Sequence, residues 1–241
     1  REYAESIGLA VMFALLLRGF VIEPFKIPTK SMVPTLLVGD HLFVNKFTYG
    51  IRVPFTETYL VRFGEPEKGE VVVFTFPSDE AQKYMAKQPP ARRECISQSS
   101  LYEEKDFIKR IVGTEGDTIA VRDNQLYVDG EKVDRTFVKK EPTGEFLRPH
   151  EVHERESLNG HTYSIKYTGN DRKFGPVEIK DDHVFVMGDN RNNSSDSRCW
   201  GQVPVEHIKG RAMFIWWSIS DAPDKAWWNR IRGERIFEWI H

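Results

Sequence analysis

Ser31 lies in the segment Ile27-Pro28-Thr29-Lys30-Ser31-Met32-Val33-Pro34-Thr35-Leu36. A serine hydroxyl is a poor nucleophile at neutral pH and needs a base beside it. No Gly-x-Ser-x-Gly elbow surrounds it, which removes the α/β-hydrolase route to a reactive serine. Pro28 and Pro34 disfavour helix and predict an extended, ordered presentation of the hydroxyl. The same residue types also fit a turn or a helix cap. What separates these readings is a base. The seven histidines are His41, His150, His153, His161, His183, His207 and His241. None has an aspartate at a spacing that nominates a partner, although triads are spatial rather than sequential.

Lys109 is the other candidate. Lysine acts as a base only when neutral, so its pKa must fall well below its usual value, and burial among apolar groups does this. In a strand through Phe107-Ile108-Lys109-Arg110-Ile111-Val112, Lys109 shares a face with Phe107 and Ile111. Arg110 then points to the opposite face, towards a carboxylate elsewhere. A lysine that guards a sheet edge would look the same. A third segment, Gly188-Asp189-Asn190-Arg191-Asn192-Asn193-Ser194-Ser195-Asp196-Ser197-Arg198, is dense in polar side chains. It fits either surface turn chemistry or a set of partners that hold a catalytic group.

The elements that must position these groups read mainly as strands. Leu42–Val44, Val71–Phe76, Asp106–Val112, Thr118–Val121, Gln125–Val128, Lys132–Val133, Thr162–Tyr167, His183–Met187 and Gly210–Ser218 carry β-branched and aromatic runs bounded by turn residues. Asp129-Gly130 is a hairpin signal, because a type I′ turn requires positive φ. Residues 77–105 read as a polar surface excursion, and Trp227–Ile240 as an imperfect helical face. The predicted fold is mainly β: an antiparallel catalytic core over 23–118 and 183–241, with a smaller β subdomain inserted at 119–182. Ile7–Ile22 is apolar and, with its flanks, makes residues 1–22 a candidate transmembrane helix. Arg18 near one end would snorkel.

Charge is balanced at 34 Lys+Arg against 36 Asp+Glu, which speaks against bulk nucleic-acid binding. Two cysteines, Cys95 and Cys199, are too few for a disulfide framework or a cysteine zinc site. Their spacing leaves pairing open. Late tryptophans, Trp216, Trp217, Trp227, Trp228 and Trp239, fit a membrane–water interface or ordinary core and surface positions.

Taken together, the three polar segments resemble those of the bacterial type I signal peptidases, membrane-bound Ser-Lys proteases. Ser31-Met32-x-Pro34-Thr35-Leu36 matches the nucleophile box of that family. Lys109-Arg110-Ile111-Val112-Gly113 with Gly116-Asp117 matches its lysine box, and Gly188 to Arg198 its third box. Glu23-Pro24-Phe25 and Gly210-Arg211-Ala212 also fit. The resemblance implies Ser31 as nucleophile, Lys109 as general base and Ser194 as the hydroxyl that orients the lysine. It implies Asp196 and Arg198 as a supporting ion pair. Thr29 would supply a hydroxyl to the oxyanion hole where serine is common, and Lys30 replaces the usual glycine. Phe25, Ile27, Met32, Leu36 and Ile108 would line shallow substrate pockets. The resemblance further implies preproteins bearing signal peptides and the lipid bilayer as partners, with no nucleic acid, metal or organic cofactor. The expected place is the bacterial inner membrane, with the catalytic domain on its extracytoplasmic side. Two other classes share some of these features: a self-cleaving repressor-type Ser-Lys protease and an inactive membrane-anchored peptide-binding β protein.

Overall fold

The computed structural model describes residues 3, 5–9, 11–12, 21–53, 59–89, 95–97, 101–102, 105–145, 148–169, 173–222 and 226–241. Its strands in chain order begin with β1 (Ile22–Lys26), β2 (Asp40–Asn45), β3 (Gly50–Arg52), β4 (Tyr59–Arg62), β5 (Val71–Thr75) and β6 (Asp106–Gly113). There follow β7 (Thr118–Arg122), β8 (Gln125–Val128), β9 (Glu131–Lys132), β10 (Asp134–Glu145), β11 (Arg148–Leu158), β12 (His161–Thr168) and β13 (Phe174–Glu178). The last three are β14 (His183–Met187), β15 (Val203–Pro204) and β16 (Ile208–Ser218). Two short helices matter here, α1 (Ser78–Ala86) and α2 (Ser197–Trp200).

A seven-stranded sheet runs β1-β2-β16-β5-β6-β14-β15, and every described pairing in it is antiparallel. Its strands come only from before residue 114 and after residue 182. The intervening chain makes a four-stranded sheet, β13-β7-β8-β9, and a three-stranded one, β10-β11-β12. The hairpin at Asp129-Gly130 forms as expected, with φ of 53° and 81°. Alternation explains the pleat: β2 buries Asp40, Leu42 and Val44 and leaves the residues between them half-buried. Ile27, Met32, Leu36, Leu42, Val44, Val73 and Ile108 form one apolar cluster beneath the serine segment. Each fully buried leucine there contributes roughly 1.5–3 kcal/mol relative to exposure. A second cluster joins Val112 of β6 and Phe185 and Met187 of β14 to the inserted strands, so the insertion shares apolar packing with the main sheet.

Three expectations are corrected. The supposed excursion at 77–105 opens with α1, which buries Ala81 and Met85 against the main core. The tail is not a helix. It makes two single 3₁₀ turns, Trp227–Arg230 and Gly233–Arg235, and then pairs with β16 through Phe237 N–H to Ile215 O and Ile240 N–H to Met213 O. Its apolar residues do not share a face: Ile240 is buried while Trp228, Phe237 and Trp239 are exposed. Ser31 lies in a turn rather than an extended segment. Val33 N–H reaches Lys30 O and Leu36 N–H reaches Met32 O, which tucks Met32 and Leu36 into the core.

Among the described residues no helix is long and apolar enough to cross a membrane. Most of the span expected over 1–22 lies outside the described residues; those described between 3 and 12 are helical, whereas at its end Val21 lies in a turn and Ile22 opens β1. Of the late tryptophans, Trp227, Trp228 and Trp239 are exposed, which removes the core reading for them.

Candidate active site

Lys109 arrives on β6, whose partner β5 meets it at Val72, and it is almost completely buried. Its Nζ lies 2.9 Å from Ser31 Oγ and donates to Ile108 O at 2.8 Å. The Phe107 ring is 5.4 Å from Nζ, on the apolar side foreseen from the strand pattern. Burial pulls the Lys109 pKa down, and the carboxylates of Asp196 and Asp189 pull it partly back, leaving it at about 8. A strand lysine guarding an exposed edge would show neither this burial nor this partner. Among the described residues no histidine hydrogen-bonds to Ser31.

Thr29 is exposed, with its hydroxyl 3.4 Å from Ser31 Oγ. Arg110 does point to the opposite side. Its Nε and Nη2 bind both oxygens of Asp189 at 2.9 and 2.8 Å, with both side chains fully buried. Thr35 donates to the same carboxylate at 2.5 Å.

The segment after β14 wraps this pair. Asp196 caps α2 and accepts from Gly188 N–H at 3.0 Å. Arg198 meets its carboxylate through Nε and Nη2 at 2.8 and 2.7 Å, so the expected ion pair is present. Burial would raise the Asp196 pKa, but Arg198 and these hydrogen bonds outweigh it and hold the carboxyl below its usual range. Ser194 is not paired with Lys109. Its hydroxyl oxygen is buried without a well-formed hydrogen bond, although it lies close enough to Asp196 to help lower that group. Cys199 of α2 forms a disulfide with Cys95, 104 residues away in sequence.

Sequence reasoning missed Asn190 as a separate participant. Its N–H donates to Ser31 O and its side-chain amide to Lys30 O, both at 3.0 Å, which stitches the two loops together. The only signal was the polar density of 188–198. Ile27, Met32, Leu36 and Ile108 belong to the apolar cluster under Ser31, and Phe25 is packed against it. The outer edge of β1 is unpaired among the described strands. On β6, β14 pairs from Arg110 to Gly113 and leaves Asp106–Lys109 free on that side.

The family model for signal peptidase, peptidase S26, matches residues 1–217. Signal peptidase I of Pseudomonas aeruginosa is 36% identical over 234 residues, covering 91% of this chain and 73% of that protein. That of Pseudomonas fluorescens is 35% identical, with 90% and 72% covered. That of Haemophilus influenzae is 32% identical, with 98% and 74% covered. The class of protein is thereby a hydrolase, a serine endopeptidase that cleaves signal peptides. Within that class, the chain belongs to the signal peptidase I family, peptidase S26.

Proposed function

We propose that Ser31 is the nucleophile and Lys109 the general base of this endopeptidase. The observation that carries the reading is the 2.9 Å contact between Ser31 Oγ and a buried Lys109 Nζ. A neutral amine has two N–H bonds and one lone pair. The lone pair takes the Ser31 proton, one N–H is held by Ile108 O, and the other is left for Ser194. Ser194 is the orienting hydroxyl in this scheme, and Asp196 with Arg198 holds its loop.

As Oγ attacks the scissile carbonyl, Ser31 N–H and the Thr29 hydroxyl stabilise the oxyanion. The protonated lysine then gives its proton to the leaving amine. Water, deprotonated by the same lysine, hydrolyses the acyl-enzyme. The substrate lies extended between the free edges of β1 and β6 and adds main-chain hydrogen bonds. Phe25, Ile27, Met32, Leu36 and Ile108 form the apolar floor that admits only small side chains.

The preprotein is met at a bilayer. Residues 1–22 serve as the membrane anchor, and the catalytic part stands on the extracytoplasmic face of the inner membrane. The exposed apolar side chains of Tyr3, Ile7, Leu9, Val11 and Met12 support this. So do the aromatic contacts of Phe43 with Trp216 and of Phe214 with Trp239, near exposed Phe237. Strand usage in the main sheet supports 23–118 and 183–241 as the catalytic core, with 119–182 as the insertion.

The test is cleavage of a preprotein by detergent-solubilised protein. Ser31→Ala and Lys109→Met each lower kcat by at least about 10³-fold while circular dichroism stays that of the wild type. Processing at near wild-type rate by folded Lys109→Met would refute the lysine base.

A further inference from the structure

Behind the serine and lysine lies a second set of buried charges that the scheme above leaves unused. The guanidinium of Arg110, besides binding Asp189, lies 3.7 Å over the ring of Tyr163 on β12. Tyr163 donates its hydroxyl to Glu156 Oε1 at 2.7 Å. Glu156 sits on β11 and is fully buried. Arg191 holds it with both terminal nitrogens, Nη1 at 3.0 Å, and Arg135 Nε holds it at 2.8 Å. Arg191 directly follows Asn190, the residue that binds the carbonyls of Ser31 and Lys30. The main chain supports the same junction: Lys166 N–H reaches Asp189 O and Arg191 N–H reaches Lys166 O, each at 2.9 Å.

Stability alone does not call for such a set. Buried ion pairs often do no better than apolar side chains of similar volume. What a bidentate arginine–carboxylate pair adds is geometry, since its two parallel hydrogen bonds allow one orientation. Here that orientation places Arg191, then Asn190 beside it, then the main chain of Ser31. Misplacement of a reacting group by about 1 Å can cost on the order of 10²-fold in rate.

We propose that Glu156, on the inserted three-stranded sheet, is a positioning residue for the reaction. Through Arg191 and Asn190 it fixes the Ser31 backbone. Through Tyr163 and Arg110 it reaches β6, which carries Lys109. One carboxylate outside the catalytic boxes thus sets the relative placement of nucleophile and base. The inference rests on Ser31 and Lys109 having those two roles.

Steady-state cleavage of a preprotein by the full chain in detergent tests it. Glu156→Gln keeps the shape and removes the charge. At a temperature where the variant is folded by circular dichroism, kcat falls about tenfold or more and KM stays within about twofold. Glu156→Asp, which keeps a charge for Arg191, recovers part of kcat. Combined with Asn190→Ala, the loss is well short of the product of the two single losses, because both act on Ser31 along one path. Glu141→Gln, on the same sheet but exposed and outside the network, keeps wild-type kcat. Unchanged kcat in folded Glu156→Gln, a rise in KM alone, or multiplying losses in the double variant would each overturn the proposal. Should Glu156→Gln not fold, Tyr163→Phe decides by the same kcat and KM criteria, since it keeps the ring on Arg110 and drops only the hydroxyl. Ser31→Ala separates the two levels. If it still cleaves, the underlying roles fall. If it is silent while folded Glu156→Gln keeps full kcat, only the positioning inference falls.

Discussion

Lys109 is where the chemistry of this site is balanced. Two opposing effects act on one amine: burial lowers its pKa, and Asp196 and Asp189 raise it, with burial winning to leave about 8. At pH 7 an amine of that pKa is neutral about one time in ten, against roughly one in several thousand at the usual lysine value. The active form is the neutral one, so activity increases as pH rises through the lysine pKa. Measured between pH 6 and 10, kcat/KM should climb nearly tenfold per pH unit at first and level off above about 8. A profile flat from pH 6.5 to 9 would assign the base to another group. The residue types of Ser31 and Lys109, and the apolar neighbours of the lysine, were legible in the sequence. Their 2.9 Å contact was not, because 78 positions of chain separate them and only the tertiary fold brings them together.

At the scale of elements, the segment after β14 decides whether the pair is held. It grips Ser31 through Asn190 and is itself pinned by the Asp196 cap on α2 and by Arg198. Gly188 shows how closely the two loops meet. A Cβ there would stand 2.3 Å from Ser194 Oγ and 2.5 Å from Ser31 O. Rotation of the serine side chain moves its Oγ but not its Cβ, which would stand 2.6 Å away, and the Ser31 carbonyl is backbone, so both segments have to shift. Gly188→Ala should therefore cost about 1–3 kcal/mol of stability in urea unfolding and lower kcat at least about tenfold. Wild-type kinetics in that variant would mean that the loops tolerate displacement. The density of polar residues from Gly188 to Arg198 marked the loop as important. Which of them face the site followed only from the cap and the ladder contacts.

Across the whole molecule, the inserted strands are joined to the catalytic sheet by apolar packing and by buried charge. Burial would raise the Glu156 pKa, but Arg191 and Arg135 outweigh it, bringing it from 4.5 to about 2. A folded-state value below the unfolded one stabilises the protein at pH above the unfolded value. That stabilisation, up to about 3 kcal/mol, is lost as pH falls from 4.5 to 2. Urea midpoints at pH 5, 4 and 3 should drop more steeply for wild type than for Glu156→Gln. Parallel curves would show that Glu156 does not contribute to acid unfolding.

The sequence by itself determined the strands β2, β5 to β9, β12, β14 and β16, the Asp129-Gly130 turn, the candidate serine and lysine, and the family likeness, but not β1, β10 or β11. All of these rest on local residue types, periodicity or motif order, which a linear chain displays directly. Tertiary structure alone decided that the tail pairs with β16 instead of forming a helix. It also decided that Cys95 meets Cys199 and that Glu156 reaches the site through Arg191. Each of these depends on contacts between segments far apart in the chain. Their free energy comes from burial and paired charge, which no single segment carries.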